Sequence, residues 1–353
     1  MQLKFKVLRT YLFLLILIIT SLQAYAQSTY QEVVAKSGDG VYVLLRRYGL
    51  NPSEHLHAFL ELNKGKLGKD HSLYIGKIYR LPIPASAVTT AVKAEPSATA
   101  SKASPKLLHI PLFGNKYERV DIKDQQLRGA VYYLSSGHGG PDPGAVGKYG
   151  SYQLAEDEYA YDVTIRLART LMEHGATVYM IVQDPKDGIR DENILKMNTD
   201  EVNYPNQPIA YNHTQRLRQR TDAINKLYAQ HKGAYQRMLA IHVDSRSKSQ
   251  NIDVFFYHHE NSPLGQKLAE TIHQTFTNNY NRHQPNRDYS GNVSQRSSLY
   301  VVKHSHPPTV FIELGNIRND LDQRRFVIPN NRQALANWIC EGIITDYASQ
   351  QGM

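Results

Sequence analysis

Three segments of this 353-residue sequence end an apolar, strand-like run on a side chain that can bind a metal or move a proton. The first is Ser136-Gly137-His138-Gly139-Gly140-Pro141-Asp142-Pro143-Gly144, directly after the run Ala130 to Ser136. Its glycines let the backbone turn tightly around one imidazole. A phosphate-cradling loop would need a Lys-Ser/Thr pair or GxGxxG spacing, and the segment has neither. The second is Ala240-Ile241-His242-Val243-Asp244, and the third is Phe311-Ile312-Glu313-Leu314-Gly315. A carboxylate inside an apolar strand is costly unless it is paired, bound to metal or kept protonated for work. A lone histidine on such a strand is more often a core residue than a ligand. Two histidines and an acid at successive strand ends shift that balance toward a site.

A catalytic zinc ion takes about three protein ligands and leaves one position open. His138 and His242 supply two, and an acid near the start of the helix after the first loop is expected as the third. Glu156 and Glu158 compete for that role. At about 100° per residue, Glu156 shares a face with Ala160, Val163 and Leu167, whereas Glu158 lies with Asp162, Arg166 and Arg169. Helix phase therefore favours Glu156 and leaves Glu158 as a solvated residue.

The elements that must hold these groups alternate in type. Strands are expected at Ala130 to Ser136, Thr177 to Val182, Met238 to Val243, Ile252 to Tyr257, Leu299 to Val302 and Val310 to Leu314. Helices are expected from Glu156 to His174 and from Leu217 to Tyr228. Two more are marked by Leu264, Leu268, Ile272 and Phe276, and by Leu335, Ile339, Ile343 and Tyr347. This pattern argues for an α/β fold, a mostly parallel twisted sheet flanked by helices on both faces, with ligands beyond the strand C-terminal ends. Leu107 to Asp124 is expected to lead into this domain, which spans 107–350.

The rest of the chain has a different organisation. Lys4, Lys6 and Arg9 precede the apolar run Tyr11 to Ile19, and Ala24-Tyr25-Ala26 precedes Gln27. That is the pattern of a signal peptide over 1–26, and the run is short beside the ~20 residues of a spanning helix. No cysteine follows the run to carry a lipid, and the single Cys340 fits a buried helix face. Residues 85–106 are rich in Ala, Ser, Thr, Lys and Pro and read as a flexible linker. A net charge of +9 favours anionic partners such as wall polymers, while no Lys/Arg-striped helix or nucleic-acid motif supports binding to DNA or RNA.

Between signal and linker, residues 30–84 read as strand-helix-helix-strand. Ser37-Gly38-Asp39-Gly40 forms a turn, Val41 to Tyr48 and Leu56 to Leu62 are helical, and Leu73 to Pro82 is a strand. This small βααβ piece resembles the LysM module in Gly38-Asp39, Tyr48-Gly49-Leu50, Asn63, Gly76 and Leu81-Pro82. The resemblance implies a grip on the N-acetylglucosamine of a glycan strand. Gly40 stands where the module usually has a hydroxyl residue.

The larger domain resembles the zinc-dependent N-acetylmuramoyl-L-alanine amidases of family 3, from about Ala130 to Tyr347. The resemblance rests on the Gly-His-Gly-Gly loop with Asp142-Pro143-Gly144, the acid and helix at Glu156 to Leu171, and Leu217-Arg218-Gln219-Arg220 with Asn225. Ile241-His242-Val243-Asp244 and Ile312-Glu313-Leu314-Gly315 with Asn319 complete it. It implies Zn2+ held by His138, Glu156 and His242, Glu313 as catalytic acid/base, peptidoglycan as substrate, and an exported protein of the periplasm or cell wall. The alternatives are an inactive wall-binding or regulatory protein and a zinc peptidase acting on stem peptides. Ser135 and Ser136 replace an Asp and a small residue of the family pattern, and Asp184-Pro185 replaces a Thr-Arg. A polar insertion at about Asp191 to Thr214 reads as a lid, a substrate-selecting loop or surface decoration. His258-His259, His304 and His306 are taken as surface or structural, with His304 and His306 placed just before the Glu313 strand.

Overall fold

The computed structural model of the protein describes residues 30–35, 40–48, 50, 52–68, 71–74, 76–82 and 107–351. The expected signal peptide, Ser37 to Asp39, Gly49 and the expected linker lie outside the described residues. The chain divides into two compact units on either side of residue 100. Among the described residues no helix is long and apolar enough to cross a membrane.

In the smaller unit, β1 (Tyr30–Val34) pairs antiparallel with β2 (Ile78–Pro82), and α1 (Val41–Arg47) and α2 (Pro52–Leu62) lie between them in sequence. Val33, Leu44, Leu45, Phe59, Tyr79 and Leu81 form its core. Asn63, fully buried, ties the end of α2 to β2, because its amide exchanges hydrogen bonds with the Arg80 backbone at 2.7 and 2.8 Å. The second strand begins at Ile78 rather than Leu73. Gly76 turns the chain with φ +78°, and its N–H donates to Ala35 O at 2.8 Å.

The larger unit begins with the hairpin β3 (Leu107–His109) and β4 (Arg119–Asp121). Its sheet uses β5 (Ala130–Ser136), β8 (Thr177–Met180), β12 (Tyr235–Asp244), β13 (Phe255–His258), β14 (Asn292–Gln295) and β15 (Thr309–Asn316). The strand order is β14-β13-β15-β12-β5-β8. β8, β5, β12 and β15 run parallel, and β13 runs antiparallel to β15 with β14 parallel to it. The hairpin β6 (Val146–Tyr149) and β7 (Tyr152–Ala155) precedes α3 (Glu156–Glu173). Three two-residue strands, β9 (Val182–Gln183), β10 (Val202–Asn203) and β11 (Gln207–Pro208), make a three-stranded side sheet. The remaining helices are α4 (His213–Gln230), α5 (Pro263–His283), α6 (Tyr300–His304), α7 (Asp320–Val327) and α8 (Pro329–Gln350).

Strand alternation sorts the side chains into two layers. Ala130, Tyr132, Leu134, Leu239, Ile241, Val310 and Ile312 pack against Ala160, Leu268 and Ile339 of α3, α5 and α8. Val131, Tyr133, Met238, Ala240 and Phe311 face Ile224, Leu227, Val301 and Val302 of α4 and α6. The sheet is therefore covered by helices on both faces, as its sequence pattern predicted. Cys340 is buried in the first layer and unpaired.

Two expectations fail here. Leu299 to Val302 is not a strand; its residues lead into and form α6. β15 already has β12 and β13 as neighbours, so the segment before it finds no free edge beside them and instead tucks Val301 and Val302 under Phe311 and Tyr257. The charged face of α3 is not solvated either. Glu158, Asp162 and Arg166 are at most 4% exposed. Arg190 and the Asn198 N–H, both from the segment after β9, bond to Glu158 at 2.6 and 2.7 Å. Arg332 of α8, fully buried, bonds to Asp162 at 2.5 Å. A face that looks polar in isolation is thus buried by charges that only the tertiary fold supplies.

Candidate functional site

Parity sets the site. The Met238, Ala240 series continues to His242, and Phe311 continues to Glu313, so both side chains emerge on the α4/α6 face. His242 and Glu313 are direct partners in the β12–β15 register. His138 follows β5, the neighbour of β12 on the other side, and turns back with φ +54°. Few non-glycine residues adopt that left-handed conformation, and it recurs at functional sites. Glu156 reaches the same place by a local route. The β6–β7 register sets Val146 opposite Ala155, which brings the start of α3 back to the loop. There the Glu156 N–H donates to Ala145 O at 2.9 Å, and its carboxylate sits at a helix N-terminus that favours an anion.

The result is a tight cluster. Ligand atoms of His138, Glu156 and His242 all lie within 4.8 Å of one another. Glu156 Oε2 is 3.2 Å from His138 Nε2, and Oε1 is 2.9 Å from His242 Nδ1. Backbone N–H groups of Ala145 and Val243 donate to the same two oxygens at 3.0 and 3.1 Å. Burial opposes the charge on Glu156, but the bonds from both imidazoles hold its carboxyl well below the usual range. Burial also works against a charged His138, yet Asp142 and Glu156 outweigh it and lift that pKa to about 9. Burial prevails at His242, whose pKa is lowered. Glu156 with the two imidazoles thus forms a negative-leaning donor set of the kind that suits a cation.

Close approach demands glycine at two positions. A Cβ on Gly137 would overlap the His242 ring. One on Gly144 would stand 2.6 Å from His138 Cδ2 and 2.8 Å from Glu156 Oε2, and Gly144 also has φ +66°. Gly144→Ala should therefore displace His138 and Glu156 at once. We expect it to lower metal affinity and to cost on the order of 1–3 kcal/mol from overpacking, with backbone strain added. Metal content by mass spectrometry and a thermal melt check both effects.

Glu313 differs from the other three. It is 8% exposed, and its Oε2 is buried without a hydrogen-bond partner. Burial, then the negative charges of Glu156 and Asp244, raise its pKa well above the usual carboxylate value. Phe311 stacks on the His242 ring, with centroids 4.2 Å apart, so the site has one apolar wall.

Several supporting residues carry no signal of their role in sequence. His138 Nδ1 lies 2.9 Å from Asp142 Oδ2, which also accepts from Arg216 at 2.6 Å. A carboxylate behind a ligand histidine fixes its tautomer and ring orientation. Arg220, buried in the Leu217 to Arg220 segment, donates to His138 O. Ser135 Oγ turns to Ser136 O, and Ser136 Oγ is buried without a partner, so His138 is oriented by Asp142 and Arg220 instead. The polar insertion braces the loop. Glu201 accepts from Gly140 N–H at 2.7 Å, Ile209 packs against Gly140, and Arg216 also holds Tyr211 O at 2.6 Å. Asn225 pins the turn before β15 through His304 O and His306 N–H, while both imidazoles are exposed.

The family model described as N-acetylmuramoyl-L-alanine amidase matches residues 133–345. The germination-specific N-acetylmuramoyl-L-alanine amidase of Bacillus subtilis is 24% identical over 230 residues, 64% of this chain and 83% of the relative. The probable cell wall amidase LytH of Staphylococcus aureus is 27% identical over 220 residues, which are 62% of this chain and 58%, under two thirds, of that relative. Among solved structures, the CwlD amidase of Clostridioides difficile, in complex with the GerS lipoprotein, is 20% identical. It aligns over 62% of this chain and 98% of its own with a TM-score of 0.46. Since the family model spans more than half of the 353 residues and takes in the loop of His138, Glu156, His242 and Glu313, the chain belongs to the N-acetylmuramoyl-L-alanine amidase family.

Proposed function

We propose that the protein is a zinc-dependent peptidoglycan amidase that hydrolyses the amide between the lactyl group of N-acetylmuramic acid and L-alanine of the stem peptide. One observation carries the reading: two imidazoles and a carboxylate converge within 4.8 Å beside a buried carboxyl whose Oε2 has no partner. A His-His-Glu donor set with a further position open suits catalytic zinc, and the orphaned Glu313 oxygen suits a group that works on a proton. When bound, zinc supplies Lewis acidity at the amide carbonyl and lowers the pKa of a water to ~7.

The chain's own residues do the rest. His138, His242 and Glu156 would hold the metal, with Asp142 and Arg216 setting the His138 ring. Glu313 accepts the proton of the attacking water and delivers it to the leaving alanine amine, first as base and then as acid. Its raised pKa matches that alternation, since a carboxyl of ordinary pKa is a poor acid at neutral pH. The smaller unit, read as a LysM-like module over 30–84, would hold glycan and keep the enzyme on the wall. An exported location, in the periplasm or outside the cell, follows from that substrate.

The test is digestion of purified peptidoglycan with and without a chelator, read by mass spectrometry. Intact glycan strands and free stem peptides beginning in L-alanine are expected, with loss on chelation and recovery on adding Zn2+. Cleavage within the stem peptides would identify a peptidase instead. Wall binding without new free amines would identify an inactive binder.

A further inference from the structure

On the sheet face that carries His242 and Glu313, the next strand continues the row. Phe255 of β13 is the register partner of Glu313, and Tyr257 is the partner of Phe311. Adjacent partners project to the same side of a sheet, so the two rings form a floor beside Glu313 on the side away from His242. Their centroids are 6.4 Å apart, and a guanidinium lies over each. Arg246 sits 5.1 Å from the Phe255 centroid, and Arg296 sits 5.0 Å from that of Tyr257.

The two arginines differ in how they are held. Arg246 Nε bonds to Asp244 at 2.6 Å, so its charge is already matched. Arg296 leaves the end of β14 with its N–H anchored to His258 O at 2.9 Å, and its side chain is exposed. Among the described residues its guanidinium has no ion pair, and neither arginine bonds to Glu313. A guanidinium spread flat over an aromatic ring keeps its N–H edges free and offers a fork that matches a carboxylate.

We propose that Arg296, on the Phe255/Tyr257 floor with Arg246 beside it, is a subsite for a carboxylate of the leaving stem peptide, the peptide whose amine takes its proton from Glu313. This rests on the amidase reading above and deepens it by naming the substrate group that is recognised. Arg296 makes the charge-assisted contact, and Arg246, tied to Asp244, keeps a second guanidinium edge in place.

The experiment compares two synthetic muropeptides, one with a free carboxylate on the residue after L-alanine and one with that group as its carboxamide. Binding is measured calorimetrically on zinc-loaded Glu313→Gln protein, which is expected to hold substrate without turnover, and KM is measured on the active chain. Without the Arg296 change, the carboxylate form should bind roughly tenfold more tightly than the amide. Arg296→Ala should erase that difference, chiefly through KM, with metal content and melting temperature unchanged, and Arg296→Lys should restore part of it. Equal losses on both ligands, or no loss on either, would overturn the subsite. The binding arm stands even if no hydrolysis is found, which would instead sink the amidase reading.

Discussion

Glu313→Gln is expected to lower kcat on peptidoglycan by roughly 10²–10⁴-fold while bound metal and fold are retained. The side chain is nearly isosteric and lies outside the cluster of His138, Glu156 and His242. The substitution removes a carboxyl that is buried, faces the charges of Glu156 and Asp244, and has one oxygen without a partner. Each of those features costs stability. The variant should therefore melt at or slightly above the parent's temperature, the usual trade at a residue kept for chemistry. Zinc content, melting temperature and turnover are read on the same preparation. Activity that survives the change would remove Glu313 as the acid/base, and lost metal would make it a ligand.

Much of this site was legible because it lies on periodic elements. The strands around His242 and Glu313 are continuous apolar runs that break on one polar residue each, so their place at strand ends was legible, while their shared face follows from the His242–Glu313 register. Helix phase separated Glu156 from Glu158 correctly in direction, since Glu156 is the acid that joins the two histidines. Phase also implied that Glu158 and its neighbours meet water, and there it failed. Periodicity describes one element and says nothing of a charge brought from 32 residues away, as Arg190 is to Glu158. The same limit hid Arg216 behind Asp142 and Glu201 on Gly140, which come from 74 and 61 residues away. Leu299 to Val302 misled for a related reason: β-branched residues favour a strand, but β15, the strand that follows, already has a neighbour on each side. Sequence pattern found groups that the fold brings together and missed the long-range contacts that hold them.

Glu156→Gln should have the second large effect, and on binding rather than turnover. The wild-type carboxylate accepts from two imidazoles and two backbone N–H groups. An amide offers one acceptor oxygen and turns a donor toward groups that also donate. The variant should hold no stoichiometric metal at neutral pH and lose activity with it. Breaking so buried a set costs about 3 kcal/mol even without metal. The sign of the pH dependence separates this from a general loss of packing. In the metal-free parent, His138 is raised from 6.5 to about 9, so its contribution is fully present below pH 6.5 and fades as pH rises through about 9. Glu156 is depressed, so its contribution is present above 4.5 and fades only as pH falls through its lowered value. Between those limits His138 and Glu156 both stabilise the metal-free fold, while the lowered pKa of His242 takes some stability away as pH falls below 6.5. Melting temperatures of the chelated parent should thus be highest near pH 4.5–6.5 relative to the variant, with the gap narrowing toward pH 9. A gap that stays constant with pH would mean that Glu156 acts by packing alone, whereas a zinc-loaded parent should show no narrowing, because the metal has taken the place of the His138 proton.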